Sequence, residues 1–217
     1  MINNKYDAQL GDKIHQLLMT EQLENDVDFS VYASPTQSNE KIKHAWARLI
    51  QELGLAGSEV DKQAERLSDF YLNDRFTGLN YANFPRVTPL VNSQKYCEPL
   101  IASNIQFIST CEHHLVPIEG RATIAYIPKD IIIGLNKLNL ILDFFAKRPQ
   151  LQERLTRQVG IVLQDILQTN DVAVILKAKH NCMSLECIDF TTEHTTFELT
   201  GKFNTDLSLR SLLFNSI

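Results

Sequence analysis

The feature that most constrains the fold is a change in hydrophobic period at about residue 100. From there on, the sequence predicts strand, strand, helix, helix, strand and strand, in that order. The predicted elements are strands at about 104–116 and 121–128, helices at about 137–147 and 149–168, a strand that starts at 171, and a strand at about 194–203. The first two strands are expected to form a hairpin joined across residues 117–120, and Pro149 is expected to start the second helix. Two hairpins around a helix pair predict an α+β fold with an antiparallel sheet.

The first 75 or so residues have a helical period instead. Apolar side chains recur at spacings of three and four within about 8–24, 39–54 and 59–75. We therefore predict an N-terminal helical region at residues 1–80 and a core domain at residues 81–217. Because long edge strands need a cover, the core is expected to assemble with other subunits into a ring or barrel.

Composition argues against two classes of partner. The chain has a net charge of −5, which argues against nucleic-acid binding by broad phosphate neutralisation. No apolar run approaches the roughly 18 residues that a membrane-spanning helix needs. The N-terminus lacks the charged-then-apolar layout of an export signal, so we expect a cytoplasmic protein without nucleic-acid or membrane partners.

Two short clusters of cysteine and histidine carry the densest chemical signal. Cys111 closely precedes His113 and His114, and a later strand contains His180 and Cys182. On an ideal strand Cys111 and His113 would share one face, whereas a bend would let Cys111 and His114 converge. A Cys, His, Cys set drawn from both clusters has the thiolate and imidazole donors that zinc prefers. Three protein ligands leave a fourth position for water, as in catalytic rather than structural zinc sites.

Less specific interpretations compete with the metal site. Cys111 and Cys182 could instead form a disulfide, although thiols are usually reduced in the cytosol. Cys97 is expected to be a buried apolar cysteine. Isolated histidines are more often ordinary core or surface residues, and this interpretation applies to His15, His44 and His194.

Several ordered motifs resemble the GTP cyclohydrolase I family. They are CEHH at 111–114, YIP at 126–128, GLNK at 134–137, RPQLQER at 148–154 and HNC at 180–182. The resemblance covers about residues 60–205 and implies the tunnelling fold, with a ββααββ core. It also implies a toroidal homodecamer with active sites between subunits. In the family, zinc is held by the residues that match Cys111, His114 and Cys182.

The resemblance implies roles for four further residues. The residue that matches His113 donates a proton while the imidazole ring of the purine opens, and the one that matches His180 assists later steps. The carboxylate that matches Glu153 reads the guanine edge, helped by the residue that matches Gln152. Elementary chemistry agrees, because a ring nitrogen becomes a tolerable leaving group only when it is protonated.

The chain departs from the family where the family binds the triphosphate. It has Asp69, Asn136, Leu140, Ser184 and Glu186 where the family has lysine, serine, arginine, lysine and arginine. Each charge-assisted phosphate contact is worth roughly 1.5–3 kcal/mol, so these changes predict weak binding of a triphosphate. The predicted substrate-binding residues are Gln152, Glu153, Asn136, Lys137 and Glu186.

Three functions remain open on the sequence alone. The leading hypothesis is a zinc-dependent hydrolase that opens the imidazole ring of a guanine-type substrate lacking the triphosphate. One alternative is ordinary GTP cyclohydrolase I activity, which makes 7,8-dihydroneopterin triphosphate. The other is a catalytically weak paralogue that binds pterins or regulates a true cyclohydrolase.

Overall fold

The computed structural model describes residues 5–33, 35–55, 57–186 and 191–216. The N-terminal part is helical, as its apolar spacing predicts. Its helices are α1 (Ala8–Thr20), α2 (Ser30–Ala33), α3 (Pro35–Glu52) and α4 (Val60–Phe70). Asp7 caps α1, because its side chain accepts a hydrogen bond from the backbone N–H of Leu10. A π-helical turn at Tyr71–Arg75 and 3-10 turns at Thr77–Leu79 and Tyr81–Asn83 follow α4.

The rest of the described chain alternates between strands and helices. In chain order the elements are β1 (Leu90–Val91), β2 (Leu100–Cys111), β3 (Pro117–Tyr126), β4 (Ile131–Ile132), α5 (Leu135–Ala146), β5 (Pro149–Gln150), α6 (Gln152–Leu167), β6 (Val172–His180), α7 (Asn181–Glu186), β7 (His194–Leu199), α8 (Lys202–Thr205) and α9 (Leu207–Phe214). The long elements β2, β3, α5, α6, β6 and β7 follow the predicted order.

Five strands form one sheet in the order β5-β2-β3-β6-β7. The pairs β2–β3, β3–β6 and β6–β7 are antiparallel, and β5 adds to β2 in parallel. Strands β1 and β4 form a separate antiparallel pair. The predicted α+β class and the ββααββ order of the core are therefore confirmed, while the ring of subunits stays a prediction.

The turn of the first hairpin lies earlier than predicted. The chain reverses at residues 112–116, where Leu115 takes a left-handed φ of 55° and its N–H donates to the Cys111 carbonyl. Residues 117–120 belong to β3, and Pro117 occupies its first position, where a proline is tolerated. A Cβ on Gly120 would lie 2.6 Å from the Lys177 carbonyl oxygen on the neighbouring strand. Gly120 thus allows close strand approach rather than a turn.

The second long helix begins later than predicted. Pro149 does not start α6, because Pro149 and Gln150 pair with Thr110 and Cys111 as the short parallel strand β5. Helix α6 then starts at Gln152. The pairing brings Gln150 beside Cys111, so the start of α6 lies next to the first cysteine-histidine cluster.

The two faces of the sheet are covered by different helices. One face packs against α1, α5 and α6 in a single core that includes Ile14, Leu18, Ile124, Phe145, Val159, Leu163 and Val174. The other face packs against α8 and α9 in a smaller core that includes Ala125, Ala173, Ile175, Phe203 and Leu213. Neighbouring residues such as Val174 and Ile175 enter opposite cores because successive strand side chains point to opposite faces.

Helices α3 and α4 form a third, separate cluster. Ile50, Val60 and Ala64 are buried there, and Trp46 and Leu67 pack against them. Helix α1, by contrast, belongs to the main core. The predicted domain boundary at residue 80 stays a prediction. Among the described residues, no helix combines the length and apolar character needed to cross a bilayer.

Candidate metal centre and substrate pocket

Three donor side chains converge at one end of the sheet. Cys111 is the last residue of β2, His114 lies on the turn that follows, and Cys182 lies in the first turn of α7. The Cys111 sulfur is 3.7 Å from the Cys182 sulfur and 3.7 Å from Nδ1 of His114. All three donor atoms lie within 4.8 Å of one another. The bend after Cys111 therefore brings His114, rather than His113, to the two thiols.

The two separations from the Cys111 sulfur fit a tetrahedral zinc ion, and small side-chain movements of His114 and Cys182 would bring the third donor pair to the same spacing. Zinc–sulfur and zinc–nitrogen bonds of about 2.3 and 2.0–2.1 Å imply donor separations of roughly 3.8 Å between sulfurs and roughly 3.6 Å between sulfur and nitrogen. A disulfide would need about 2.05 Å between the sulfurs, and Cys111 and Cys182 are free thiols. The two cysteines are buried and His114 is exposed, so the cluster is reached from the solvent on the histidine side.

Cys111 and Cys182 are buried, whereas Cys97 is exposed. Burial, reinforced by the neighbouring Cys111, raises the pKa of the Cys182 thiol. A bound cation would offset that cost by favouring the thiolate. Cys97 is exposed, so the expectation that it is buried was wrong. Cys187 lies outside the described residues.

The turn that carries His113 and His114 is held from two sides. On one side, the Glu112 backbone N–H donates to the Gln150 carbonyl at 3.1 Å. On the other, the Tyr71 hydroxyl donates to the Leu115 carbonyl at 3.1 Å. His113 itself is exposed, with its ring 6.2 Å from the His114 ring. His113, the predicted proton donor, thus lies next to the three candidate metal ligands on a turn that is held in place.

A cavity of about 210 Å³ adjoins the second cysteine-histidine cluster. Its lining residues are Gln152, Glu153, His180, Met183, His194 and Thr196. Pockets for drug-sized ligands usually span about 300–1,000 Å³, so this volume suits a single ring system with the remainder of a ligand outside. Glu153 is exposed in the first turn of α6, which places a carboxylate at the cavity. The predicted residues His180, Gln152 and Glu153 are therefore brought together.

Gln152 is buried, and its amide is engaged within the chain. Its nitrogen lies 3.1 Å from the Leu176 carbonyl, 3.0 Å from the His194 carbonyl and 3.2 Å from the Thr196 hydroxyl. Its oxygen lies 2.8 Å from Nε2 of His180. The side chain predicted to help read the substrate therefore links α6 to β6, to β7 and to His180.

His194 is a titratable residue of this cavity that the sequence did not indicate as part of a site. It begins β7, opposite Ala178 of β6, and its ring centroid lies 5.6 Å from that of His180. Its Nε2 is 3.0 Å from the Met183 sulfur. The sequence signal was weak, because a single histidine at the start of a strand is typical of a surface position. Only the pairing of β7 with the strand that carries His180 indicates otherwise.

Two opposing influences act on His180. Burial and the positive charge of a protonated His194 lower the pKa of His180, while the Glu153 carboxylate opposes them. The net shift is downward, so the neutral imidazole is favoured near neutral pH. A neutral imidazole has one nitrogen that donates and one that accepts.

The described side chains predicted for the phosphate end do not line this cavity. Asn136 and Lys137 lie in the first turn of α5 and do not line it. Leu140 lines a different cavity, of about 190 Å³, together with Lys147. Asp69 is exposed on α4 and accepts a hydrogen bond from Asn73. The side chains of Ser184 and Glu186, at the end of α7, lie outside what the structure describes.

Comparison with known proteins agrees with these motifs. The family model for GTP cyclohydrolase I matches residues 42–217. GTP cyclohydrolase 1 of Shewanella baltica (strain OS185) is 41% identical over 207 residues, which span 94% of this chain and 95% of the relative. GTP cyclohydrolase 1 of Vibrio cholerae serotype O1 is 41% identical over 182 residues, spanning 82% of this chain and 84% of the relative.

A third relative gives the same result. GTP cyclohydrolase 1 of Escherichia coli O1:K1 is 40% identical over 201 residues, which span 91% of this chain and 90% of the relative. Similarity at this level covers both the helical N-terminal part and the sheet. The chain belongs to the GTP cyclohydrolase I family.

Proposed function

We propose that this protein hydrolyses GTP in a zinc-dependent reaction that opens the imidazole ring of the purine and releases formate. The observation that carries the proposal is 41% identity, over 94% of the chain, to a protein named GTP cyclohydrolase 1. The convergence of two thiols and an imidazole supports it independently. The names of the relatives favour GTP over the triphosphate-free substrate that the charge changes alone predict.

In this proposal the metal is held by Cys111, His114 and Cys182. A zinc ion there supplies Lewis-acid activation of a water molecule near neutral pH. The exposed His114 side of the cluster is the side from which substrate approaches. Burial of the two cysteines keeps the other side dry.

The remaining roles belong to three side chains of this chain. His113 holds a proton and donates it to the ring nitrogen that leaves, which makes C–N cleavage feasible. The Glu153 carboxylate accepts hydrogen bonds from the N–H and amino groups of the guanine edge, and so orients the base. His180 lines the same cavity as Glu153 and acts on the opened ring.

The direct test is stoichiometric formate release from GTP by the purified protein. Activity is expected to disappear when a chelator removes the metal and to return on addition of zinc alone. The matched control is His113→Ala, which should keep its metal and release no formate. Full activity in the metal-free protein would contradict the zinc-dependent reaction.

A second candidate keeps the chemistry and changes the substrate. Asp69 and Leu140 stand where the family has lysine and arginine, and these changes favour a guanine-type compound without the triphosphate. Steady-state kinetics with GTP and guanosine side by side distinguish the two candidates. A lower kcat/KM for GTP than for guanosine would replace the first candidate by the second. Pterin binding with no formate release from any purine would favour the regulatory paralogue.

We propose, in addition, a homodecamer with its sites between subunits. Asn136 and Lys137 are not among the residues that line the cavity containing Glu153 and His180. A neighbouring copy could supply them. Mixed oligomers of His113→Ala and Lys137→Ala should then recover part of the activity that each variant lacks. Sedimentation that shows an active monomer at micromolar concentration would contradict the assembly.

A further inference from the structure

The Gln152 amide has partners on both of its polar atoms, and these partners decide more than its own orientation. We propose that Gln152 is a positioning residue that selects one tautomer of neutral His180, with its proton on Nε2 and its lone pair on Nδ1. The inference concerns the site of the proposed GTP hydrolysis and in that sense rests on the proposed function. The hydrogen bonds themselves do not depend on which substrate is used.

Two backbone carbonyls determine which way the nitrogen and oxygen of the Gln152 amide face. The nitrogen lies 3.1 and 3.0 Å from the backbone carbonyl oxygens of Leu176 and His194, and carbonyl oxygens only accept hydrogen bonds. If the amide were rotated by 180°, its oxygen would face both carbonyls and two buried acceptors would repel each other. Gln152 is only 3% exposed, so water could not relieve that repulsion. The nitrogen must therefore face Leu176 and His194.

The orientation of the Gln152 amide determines which ring nitrogen of His180 carries the proton. With its nitrogen committed, Gln152 presents its oxygen to Nε2 of His180 at 2.8 Å. An amide oxygen has no proton to give, so Nε2 must carry the proton of this hydrogen bond. In neutral imidazole the other nitrogen, Nδ1, then carries the lone pair. Among the described residues, Nδ1 of His180 has no hydrogen-bond partner.

The Gln152 side chain is held in place by contacts with several elements. Gln152 begins α6, and its partners lie on β6 and β7, so one side chain links three elements around the His180 ring. Thr156, one helical turn later, donates to the Gln152 backbone carbonyl at 2.7 Å, and its hydroxyl lies 2.6 Å from the Thr196 hydroxyl, which is itself a partner of the Gln152 side-chain nitrogen. These contacts oppose rotation of the amide and therefore oppose a switch of tautomer at His180.

The tautomer restricts what the cavity can recognise. Neutral His180 offers an acceptor through Nδ1, and the Glu153 carboxylate also accepts. The substrate groups that face these two side chains must therefore be donors, such as N–H, amino or hydroxyl groups. In the same state His180 can take up a proton from the reacting molecule but has none at Nδ1 to give.

The test compares Gln152→Met with Gln164→Met. Both glutamines lie on α6, and Gln164 bonds only to the Thr200 hydroxyl among the described residues. Turnover is expected to fall about 10-fold or more in Gln152→Met, mainly in kcat, and to stay close to wild type in Gln164→Met. Zinc content should be equal in both variants, which separates positioning from loss of metal.

A spectroscopic readout tests the tautomer without any substrate. Nitrogen-15 NMR of histidine-labelled protein at about pH 8, where ordinary imidazoles are neutral, distinguishes a protonated Nε2 from a protonated Nδ1. The His180 signal is identified by its loss in His180→Gln. Wild type is expected to show the proton on Nε2, and Gln152→Met a mixture of both forms.

Each outcome bears on the proposal. A wild-type His180 with its proton on Nδ1 would overturn it, and so would equal losses of turnover in the two glutamine variants. If Gln152→Met does not fold, the wild-type spectrum still decides the tautomer. Absence of formate release from GTP by wild type would refute the proposed function, whereas the spectrum would still test the role of Gln152.

Discussion

Arg154 forms an ion pair with Glu112, the residue between Cys111 and the two histidines of the turn. The same guanidinium donates to the Gln150 side-chain oxygen at 3.0 Å and to the Pro149 carbonyl at 3.1 Å. One side chain from the first turns of α6 therefore holds both β5 and the turn that carries His114. The Arg154 side chain is 14% exposed and that of Glu112 is 37% exposed, so solvent screens the pair in part from the Glu112 side.

This relationship predicts a role in retaining the metal. Arg154→Met should release zinc to a competing chelator about 10-fold faster than wild type, because outer partners fix the orientation of metal ligands. Arg157→Met is the control, since Arg157 is exposed on the same helix. Equal rates of zinc release in the two variants would show that the ion pair between Arg154 and Glu112 does not contribute to zinc retention.

The donor set predicts a clear difference among the cysteines. Cys111→Ala and Cys182→Ala should each lose most of the approximately one zinc per chain expected of wild type, since two donors seldom retain the ion. Cys97→Ala should retain it, because Cys97 is exposed and belongs to no donor cluster within the described part of the chain. Metal analysis after dialysis measures all three. Full zinc content in both Cys111→Ala and Cys182→Ala would refute the ligand assignment.

His113 and Glu153 are predicted to affect different kinetic constants. His113→Ala should lower kcat by about 10²–10⁴-fold with zinc retained, because general acid catalysis contributes that much. Glu153→Ala should mainly raise KM for guanine-type substrates, because it removes the acceptor for the base edge. Formate release at varied substrate concentration separates the two effects. Unchanged release in both variants would exclude the proposed ring opening.

Arg148 is predicted to be the most sensitive charged position for stability. Its side chain is 0% exposed and pairs with Glu24, which is 5% exposed, at 2.9 Å. The guanidinium also lies within 4.8 Å of the ring centroids of Tyr81, Phe144 and Phe145. Arg148→Met should lower the free energy of unfolding by about 3–5 kcal/mol, because it removes the buried guanidinium that pairs with the Glu24 carboxylate and leaves it contacts such as those with His15 and the Tyr81 hydroxyl.

The control for that prediction is an exposed ion pair. Lys13 pairs with Asp165 while 60% exposed, so Lys13→Met should cost less than about 1 kcal/mol. Denaturant unfolding of both variants gives the comparison. Similar losses in the two variants would mean that the Arg148 cluster contributes no more than a surface pair.

Substitutions at Asp69 and Leu140 are predicted to increase the affinity for GTP. Asp69→Lys combined with Leu140→Arg restores the cations of the family, and should lower KM for GTP about 10-fold or more at low salt. KM for guanosine should not change, because guanosine carries no phosphate. Asp12→Lys, on the exposed face of α1, makes the same charge change as Asp69→Lys at a remote site. An equal effect from Asp12→Lys would attribute the gain to net charge alone.

The sequence alone determined the order of the elements and the chemical identity of the donor set. Hydrophobic period is a local property, so β2, β3, α5, α6, β6 and β7 could be predicted in order from neighbouring residues. The chain has only four cysteines and six histidines, and half of these ten residues fall in two short clusters. Zinc selects these donor types by chemistry, which needs no knowledge of the fold.

Tertiary structure alone decided where the turns lie and which side chains meet. Pro149 favours a helix start locally, yet pairing with Thr110 makes it part of β5. Gly120 resembles a turn residue, yet contact with the Lys177 carbonyl places it inside β3. In both cases a strand distant in sequence supplied hydrogen bonds or close contacts that outweighed the local preference.

The substrate cavity depended most on tertiary structure. Gln152 meets His180 and the His194 carbonyl across 28 and 42 residues of sequence. These contacts are set by the register of β6 with β7 and by the residue at which α6 begins. A one-residue shift of register would turn the strand side chains to the opposite face, so no local pattern could specify the cavity.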